Sequence, residues 1–256
     1  ITGLGSFSAE EEFIREKLCE NISPQFHYFT NAPTIKKSRY LDDDGNRLFE
    51  VYDYDQSPVC ERFNEEFCKW LTNNIDSFDL VIIPDFGNGL ITGEMIEICT
   101  SKAQKLAINT QVNSGNRGFH RINKYPRADY ICLNETELRL AASDSVADLN
   151  KIAREISEKL EAKWLAVTRG SKGIFVHDAV TGEDFSIPAL SSKVVDRVGA
   201  GDAFLAFSAA SMLQHNQPYL ATFIGAAAAA LEVQIVCNRE PVNLGALTSY
   251  INTLLK

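Results

Sequence analysis

Over most of its length the chain alternates short apolar runs with longer stretches whose apolar residues recur at helical spacing. From residue 57 onward this alternation predicts helix 57–76 before strand 79–84, helix 92–104 before strand 105–109, and strand 129–133 before a short helix opening at Asn134. Helix 146–160 before strand 163–168 continues it. Such a series predicts βαβ units, and hence an α/β fold: a mostly parallel sheet between two layers of helices. Strands 173–177 and 183–187 flank the turn 178-DAVTGE-183 and predict one antiparallel hairpin; helices follow at 200–214, 218–232 and 243–255. The alanines at 226–230 predict a helix that packs closely on its neighbours.

The front of the chain reads differently. A helix is expected over Ser8–Glu20, with Ser8 and Glu11 spaced for a capping box. The runs 25-QFHYFT-30, 35-IKKSRYL-41 and 48-LFEVYDYD-55 are rich in aromatic and β-branched residues, and 42-DDDGN-46 supplies a turn. They predict a small antiparallel patch over about 25–55 that serves as a lid or dimer flap, because a few short strands bury too little surface to stand alone. No internal repeat or long linker interrupts the 256 residues, so they are expected to form one domain.

Charge and composition narrow the function classes. With 25 basic against 34 acidic side chains the net charge is −9, which argues against a nucleic-acid partner that must neutralise phosphates over a broad face. Runs such as 79-DLVIIP-84 fall well short of the roughly 20 residues that cross a bilayer, so no membrane association is expected. Six scattered cysteines without a CxxC pair read as reduced thiols of a cytoplasmic protein. The chain begins ITGLGSFSAEEEF, with neither an initiator Met nor a secretory pattern, as expected of a fragment or a processed product.

The chemistry concentrates in 194-VVDRVGAGDAFLAFSAASML-213. Gly199, Ala200 and Gly201 form a tight turn into an apolar helix, and the unpaired amides of a helix's first turn bind anions. Asp202 stands beside that anion nest. A carboxylate so placed takes the proton of an attacking hydroxyl while the amides hold a transferring phosphoryl group, although a first-turn Asp is also a common helix cap. GAGDAF lacks the third glycine of a dinucleotide-binding GxGxxG, and no Walker A sequence occurs.

The stretch 196-DRVGAGDAF-204 resembles the signature of the ribokinase family of carbohydrate kinases, the PfkB type, with Arg197 in place of its usual Thr. Two further elements follow that family's order: 134-NETE-137 is similar to its Asn-x-x-Glu element, and 168-TRGSKG-173 to its nucleotide loop. The resemblance implies a ribokinase-like three-layer fold, ATP and Mg²⁺ as cofactors, and a sugar or sugar phosphate as substrate. It implies Asp202 as general base and Gly199, Ala200 and Gly201 as anion hole. It further assigns Asn134 and Glu137 to Mg²⁺ through water, and Thr168, Arg169, Gly170 and Gly173, with Asn134, to the nucleotide. Lys37, Arg39, Asp85, Asn109 and Asn113 are expected to meet the substrate, and His120 to be a surface histidine.

Within the family, 33-PTIKKSRYL-41, 48-LFEVYDYD-55 and 80-LVIIPDFGNGLIT-92 look most like the branch that phosphorylates heptose phosphates for ADP-heptose synthesis. That branch carries Asp-Tyr-x-Lys-Gly where this chain has 85-DFGNG-89, and Asp-Pro-Lys where it has 109-NTQ-111, so Asn88 and Gln111 replace two lysines suited to a sugar phosphate. Asn113, Asn116 and Arg117 are the expected substitutes. The lost lysines also keep open an inactive, kinase-like binding module. Because the family usually begins with strands and a Gly-Gly sugar segment ahead of the point that Ile1 matches, the N-terminal part of the fold is expected to lie elsewhere in a longer protein. That protein is expected to be a homodimer through the lid, with another domain fused to it.

Overall fold

A computed structural model describes residues 1–6, 10–43, 47–53, 59–113, 116, 118–236 and 239–256. Ser8 with its expected capping box, the tip of the 42–46 turn, Arg117 and Cys237 lie outside the described residues. The element order is β1 (Thr2–Gly5), α1 (Glu10–Lys17), β2 (Phe26–Phe29), β3 (Lys36–Leu41), β4 (Arg47–Asp53), α2 (Glu61–Asn74), β5 (Val81–Asp85), α3 (Gly93–Lys102), β6 (Leu106–Thr110) and β7 (Tyr130–Asn134). Then come α4 (Glu135–Ala142), α5 (Leu149–Lys159), β8 (Trp164–Thr168), β9 (Ile174–Asp178), β10 (Glu183–Ile187), α6 (Ala200–His215), α7 (Pro218–Glu232) and α8 (Leu244–Leu254). The described residues form two compact units, Ile1–Ile75 with Asn88–Ile98, and Asp76–Gly87 with Cys99–Lys256.

In the first unit β1 and β2 pair in parallel, and β3 and β4 pair antiparallel. This corrects the expected three-stranded antiparallel patch. The 25–30 run belongs with β1, a strand whose four residues TGLG carry too little pattern to be seen. Gly3 makes the packing possible, since a Cβ there would stand 2.8–2.9 Å from the rings of Phe29 and Phe63. Those rings stack at 4.3 Å, and α2 adds Phe67, whose ring lies 4.9 Å from His27.

The second unit is built on a six-stranded sheet of order β10-β9-β8-β7-β6-β5. β5 to β8 are parallel, and β9 and β10 form the expected antiparallel hairpin, closed by Asp178, whose Oδ1 accepts the Val180 amide at 2.9 Å. Successive side chains of a strand face opposite layers. Tyr130 and Cys132 of β7 therefore join Phe204, Leu205 and Met212 of α6 in one core, leaving Ile131 and Leu133 for the face on which α4 and α5 pack. Burial on both faces explains why these strands read as unbroken apolar runs. α7 lies close against α6, because Gly225 admits Phe204 and Ser208: a Cβ at 225 would stand 2.8 Å from both side chains. Its alanines 227 and 228 pack with Leu247 of α8. Among the described residues no helix is long and apolar enough to cross a membrane.

Candidate active site

Ligands of open α/β sheets gather beyond the carboxyl ends of the parallel strands. Here those ends carry Asp85, Gln111 just past β6, Asn134, and Thr168 with Arg169. The start of α6 joins them. Gly199 is its N-cap at φ +82°, a left-handed backbone that suits glycine, and it supplies no side-chain cap. The first intrahelical-type bond runs from the Ala203 amide to the Gly199 carbonyl at 2.8 Å. Among the described residues no acceptor meets the amides of Ala200, Gly201 and Asp202. A helix start with free amides is suited to an anion.

Asp202 sits in the same first turn, and its Oδ1 accepts a 2.7 Å hydrogen bond from Gln111 Nε2. No other donor among the described residues reaches its carboxylate. Burial raises the Asp202 carboxyl above its ordinary value, and the Gln111 bond opposes the shift. Glu137 is raised too, by burial first, with the amides of Asn134 and Val112 opposing and the Asp202 charge assisting. Its two oxygens accept those amides at 2.8 and 3.1 Å, while Asn134 Oδ1 accepts the Glu137 amide at 2.8 Å. Asn134 is thus the N-cap of a complete capping box. With both Glu137 oxygens engaged, the pair suits a cation that keeps its water shell, as Mg²⁺ does, better than one stripped of it.

The nucleotide-loop residues follow β8. Gly170 and Gly173 both have positive φ, at +57° and +79°. At Gly173 the need is absolute, because a Cβ would stand 2.1 Å from the Ile187 carbonyl oxygen. Arg169 is not a free cation: its Nε lies 3.0 Å from Glu135 Oε2.

Asp85, expected to meet a sugar hydroxyl, is only 3% exposed and is crowded with donors from its own chain. Tyr125 Oη and Lys124 Nζ each lie 2.6 Å from Oδ2, and the Gly87 amide and His120 Nε2 lie 3.1 and 3.3 Å from Oδ1. Burial alone would raise this carboxyl; the contacts to His120, Lys124 and Tyr125 outweigh it and hold the group well below its ordinary value. His120 is therefore no surface histidine, being 9% exposed against that carboxylate. Its neighbour Phe119 is solvent-facing, so the polar 113–127 segment turns only His120 of this pair inward. Asn109 donates to the Cys132 carbonyl at 2.7 Å, and its buried Oδ1 has no partner among the described residues. Asn113 and Asn116 exchange bonds of 2.8 and 3.0 Å and both donate to the Phe86 carbonyl, so they staple their loop. Lys37 and Arg39 lie in the first unit, both paired with Glu50, at 3.4 and 2.9 Å. Among the cysteines, Cys68, Cys99 and Cys132 are buried thiols and Cys19 is exposed.

A helix start with free amides beside a carboxylate, near the strand ends of an α/β sheet, is compatible with phosphoryl transfer. The family profile described as "pfkB family carbohydrate kinase" matches residues 3–239, and the chain belongs to that family, whose sugar kinases are phosphotransferases with a hydroxyl acceptor. It is 26% identical over 198 residues to the bifunctional protein HldE of Pelobacter propionicus, covering 74% of this chain and 40% of that relative. To HldE of Hyphomonas neptunium it is 29% identical over 180 residues, 68% of this chain and 35% of the relative. The chain thus spans well under two thirds of the curated relatives it matches. Among solved structures, ribokinase of Thermotoga maritima superposes with TM-score 0.77 at 17% identity, covering 98% of this chain and 80% of that one. Phosphofructokinase-2 of Escherichia coli gives 0.79 at 13% identity, with 99% and 81% covered. These likenesses establish the ribokinase-like fold.

Proposed function

We propose that the protein transfers the γ-phosphoryl group of ATP to a sugar hydroxyl, with a heptose or heptose phosphate as the nearest substrate class. The observation that carries this reading is the start of α6, where, among the described residues, amides without acceptors adjoin a half-buried carboxylate that has one oxygen held and the other without a donor. In the transfer, Asp202 accepts the hydroxyl proton as the new O–P bond forms and the bond from the γ-phosphorus to ADP breaks. The amides of Gly199, Ala200 and Gly201 hold the charge on the migrating phosphoryl group. Burial suits the base, since a carboxyl raised above its ordinary value binds the incoming proton more strongly.

Mg²⁺ would neutralise the phosphates, held through water by Asn134 and Glu137. Thr168, Gly170 and Gly173 shape the nucleotide loop, and Arg169 reaches phosphate by exchanging Glu135 for it. Asp85 acts on the substrate side by fixing its own loop through Lys124, Tyr125 and His120, with Asn109 and Asn113 completing that side. The branch-like segments 33-PTIKKSRYL-41, 48-LFEVYDYD-55 and 80-LVIIPDFGNGLIT-92 support the heptose class, and the HldE relatives, being named bifunctional, support a further domain in the whole polypeptide. The cytoplasm is the proposed location. The ribbon of β3 and β4, which exposes Tyr40, Phe49 and Val51, is the proposed surface for a second copy.

The test uses protein expressed from its complete coding sequence. ADP release is measured with ATP–Mg²⁺ against ribose, fructose 6-phosphate, a mannoheptose and its 7-phosphate. Turnover is expected with a heptose acceptor. Calorimetric binding of ATP–Mg²⁺ and sugar without ADP release from any acceptor would favour the inactive module instead.

A further inference from the structure

We infer that Gln111 is a positioning residue for the phosphoryl transfer: it holds one oxygen of Asp202 so that the other stays aligned for the acceptor hydroxyl. The inference rests on the proposed role of Asp202 as base and adds a residue to it. The Gln111 backbone is anchored on both sides of its Cα. Its amide donates to the Asp85 carbonyl at 2.8 Å, and its own carbonyl accepts Asn116 Nδ2 at 3.2 Å. From this fixed backbone, at the end of β6, the side chain spans to α6 and donates to Asp202 Oδ1 at 2.7 Å.

A short Asp side chain at a helix start can rotate about two bonds, and a bond from a rigid neighbouring strand fixes the carboxylate plane. The donor is also neutral. An ammonium in its place would form an ion pair with the carboxylate and weaken it as a base, whereas an amide orients the group and leaves its charge uncompensated. Gln111 therefore serves the base directly, where a lysine at this position reads from sequence as a substrate-phosphate contact.

The kinetic test compares Gln111→Leu, which keeps the size and removes the donor, with Gln111→Asn, whose amide stops one carbon short. Both should lower kcat by about tenfold with KM for sugar and ATP within about twofold, the signature of a misaligned base. A merely structural role would lower the melting temperature and leave kcat per folded molecule intact. A raised sugar KM with unchanged kcat, or kcat within about twofold of wild type in either variant, overturns the inference. Asp202→Asn in the same assay separates the two ideas: a dead Asp202→Asn beside an active Gln111→Leu rejects Gln111 alone, and an active Asp202→Asn rejects the base itself. If no acceptor is turned over, NMR of the Gln111 side-chain amide decides. Slow solvent exchange that becomes fast in Asp202→Ala supports the contact, and fast exchange in the wild type overturns it.

Discussion

The end of β5 and the first turn of α6 each carry an aspartate, Asp85 buried and Asp202 half-buried, and their surroundings are opposite. Asp85 meets a tyrosine, a lysine, a histidine and a backbone amide. Asp202 meets a single glutamine. The same side chain is thus held well below its ordinary pKa in one place and raised above it in the other. A saturated carboxylate stabilises structure and has little basicity left; a nearly bare one costs stability and keeps its appetite for a proton. Both lie on the strand-end side of the sheet, so what distinguishes the two carboxylates is their count of donors.

The largest stability effect should come from Asp85→Asn. It leaves Lys124 facing an uncharged partner and is expected to cost about 3 kcal/mol in urea unfolding. A loss below about 1 kcal/mol would mean that the cluster is incidental. Next is Gly173→Ala, expected to cost about 2 kcal/mol because it forces a left-handed alanine against the Ile187 carbonyl; a shift of that carbonyl should also raise KM for ATP. Asp202→Asn should leave stability equal or raise it by up to about 1 kcal/mol, since a half-buried charge with one donor is removed. The pH dependence sharpens the contrast. Stability from Asp85 is full above the ordinary carboxylate pKa and is lost as pH falls through its lowered folded value. The cost of Asp202 and Glu137 is present at neutral pH and fades as pH falls through their raised values. Thermal melts of the two asparagine variants against pH should therefore diverge from wild type in opposite directions at neutral pH. The smallest effect is Glu135→Gln, less than about 1 kcal/mol for a partly exposed pair. It should free Arg169 and lower KM for ATP, and an unchanged KM would remove Arg169 from the nucleotide site.

Much of this was legible in the chain. Short apolar runs and period-3.6 patterning placed the strands and helices of the second unit to within a few residues, because its inner strands β6 to β9 are covered on both faces. The GAGD turn was legible for a similar reason: glycine spacing before an apolar helix has few uses. What patterning missed was β1, too short and glycine-rich to carry a signal, and with it the parallel partner of β2. Long-range partners were invisible as well. Nothing local to His120, Lys124 or Tyr125 points at Asp85, some 40 positions earlier, and nothing at Gln111 points at Asp202, 91 positions later. Asn88 and Gln111 were legible as departures from a related branch, but the consequence at 111 emerged only from its contact.

The central claim is that the bare carboxylate at the start of α6 takes the proton. It is tested most directly by single-turnover phosphoryl transfer to the best acceptor, comparing wild type with Asp202→Asn on protein shown to be folded by near-ultraviolet circular dichroism. The account predicts a loss of about a hundredfold or more at undiminished stability. A transfer rate within about threefold of wild type would contradict it.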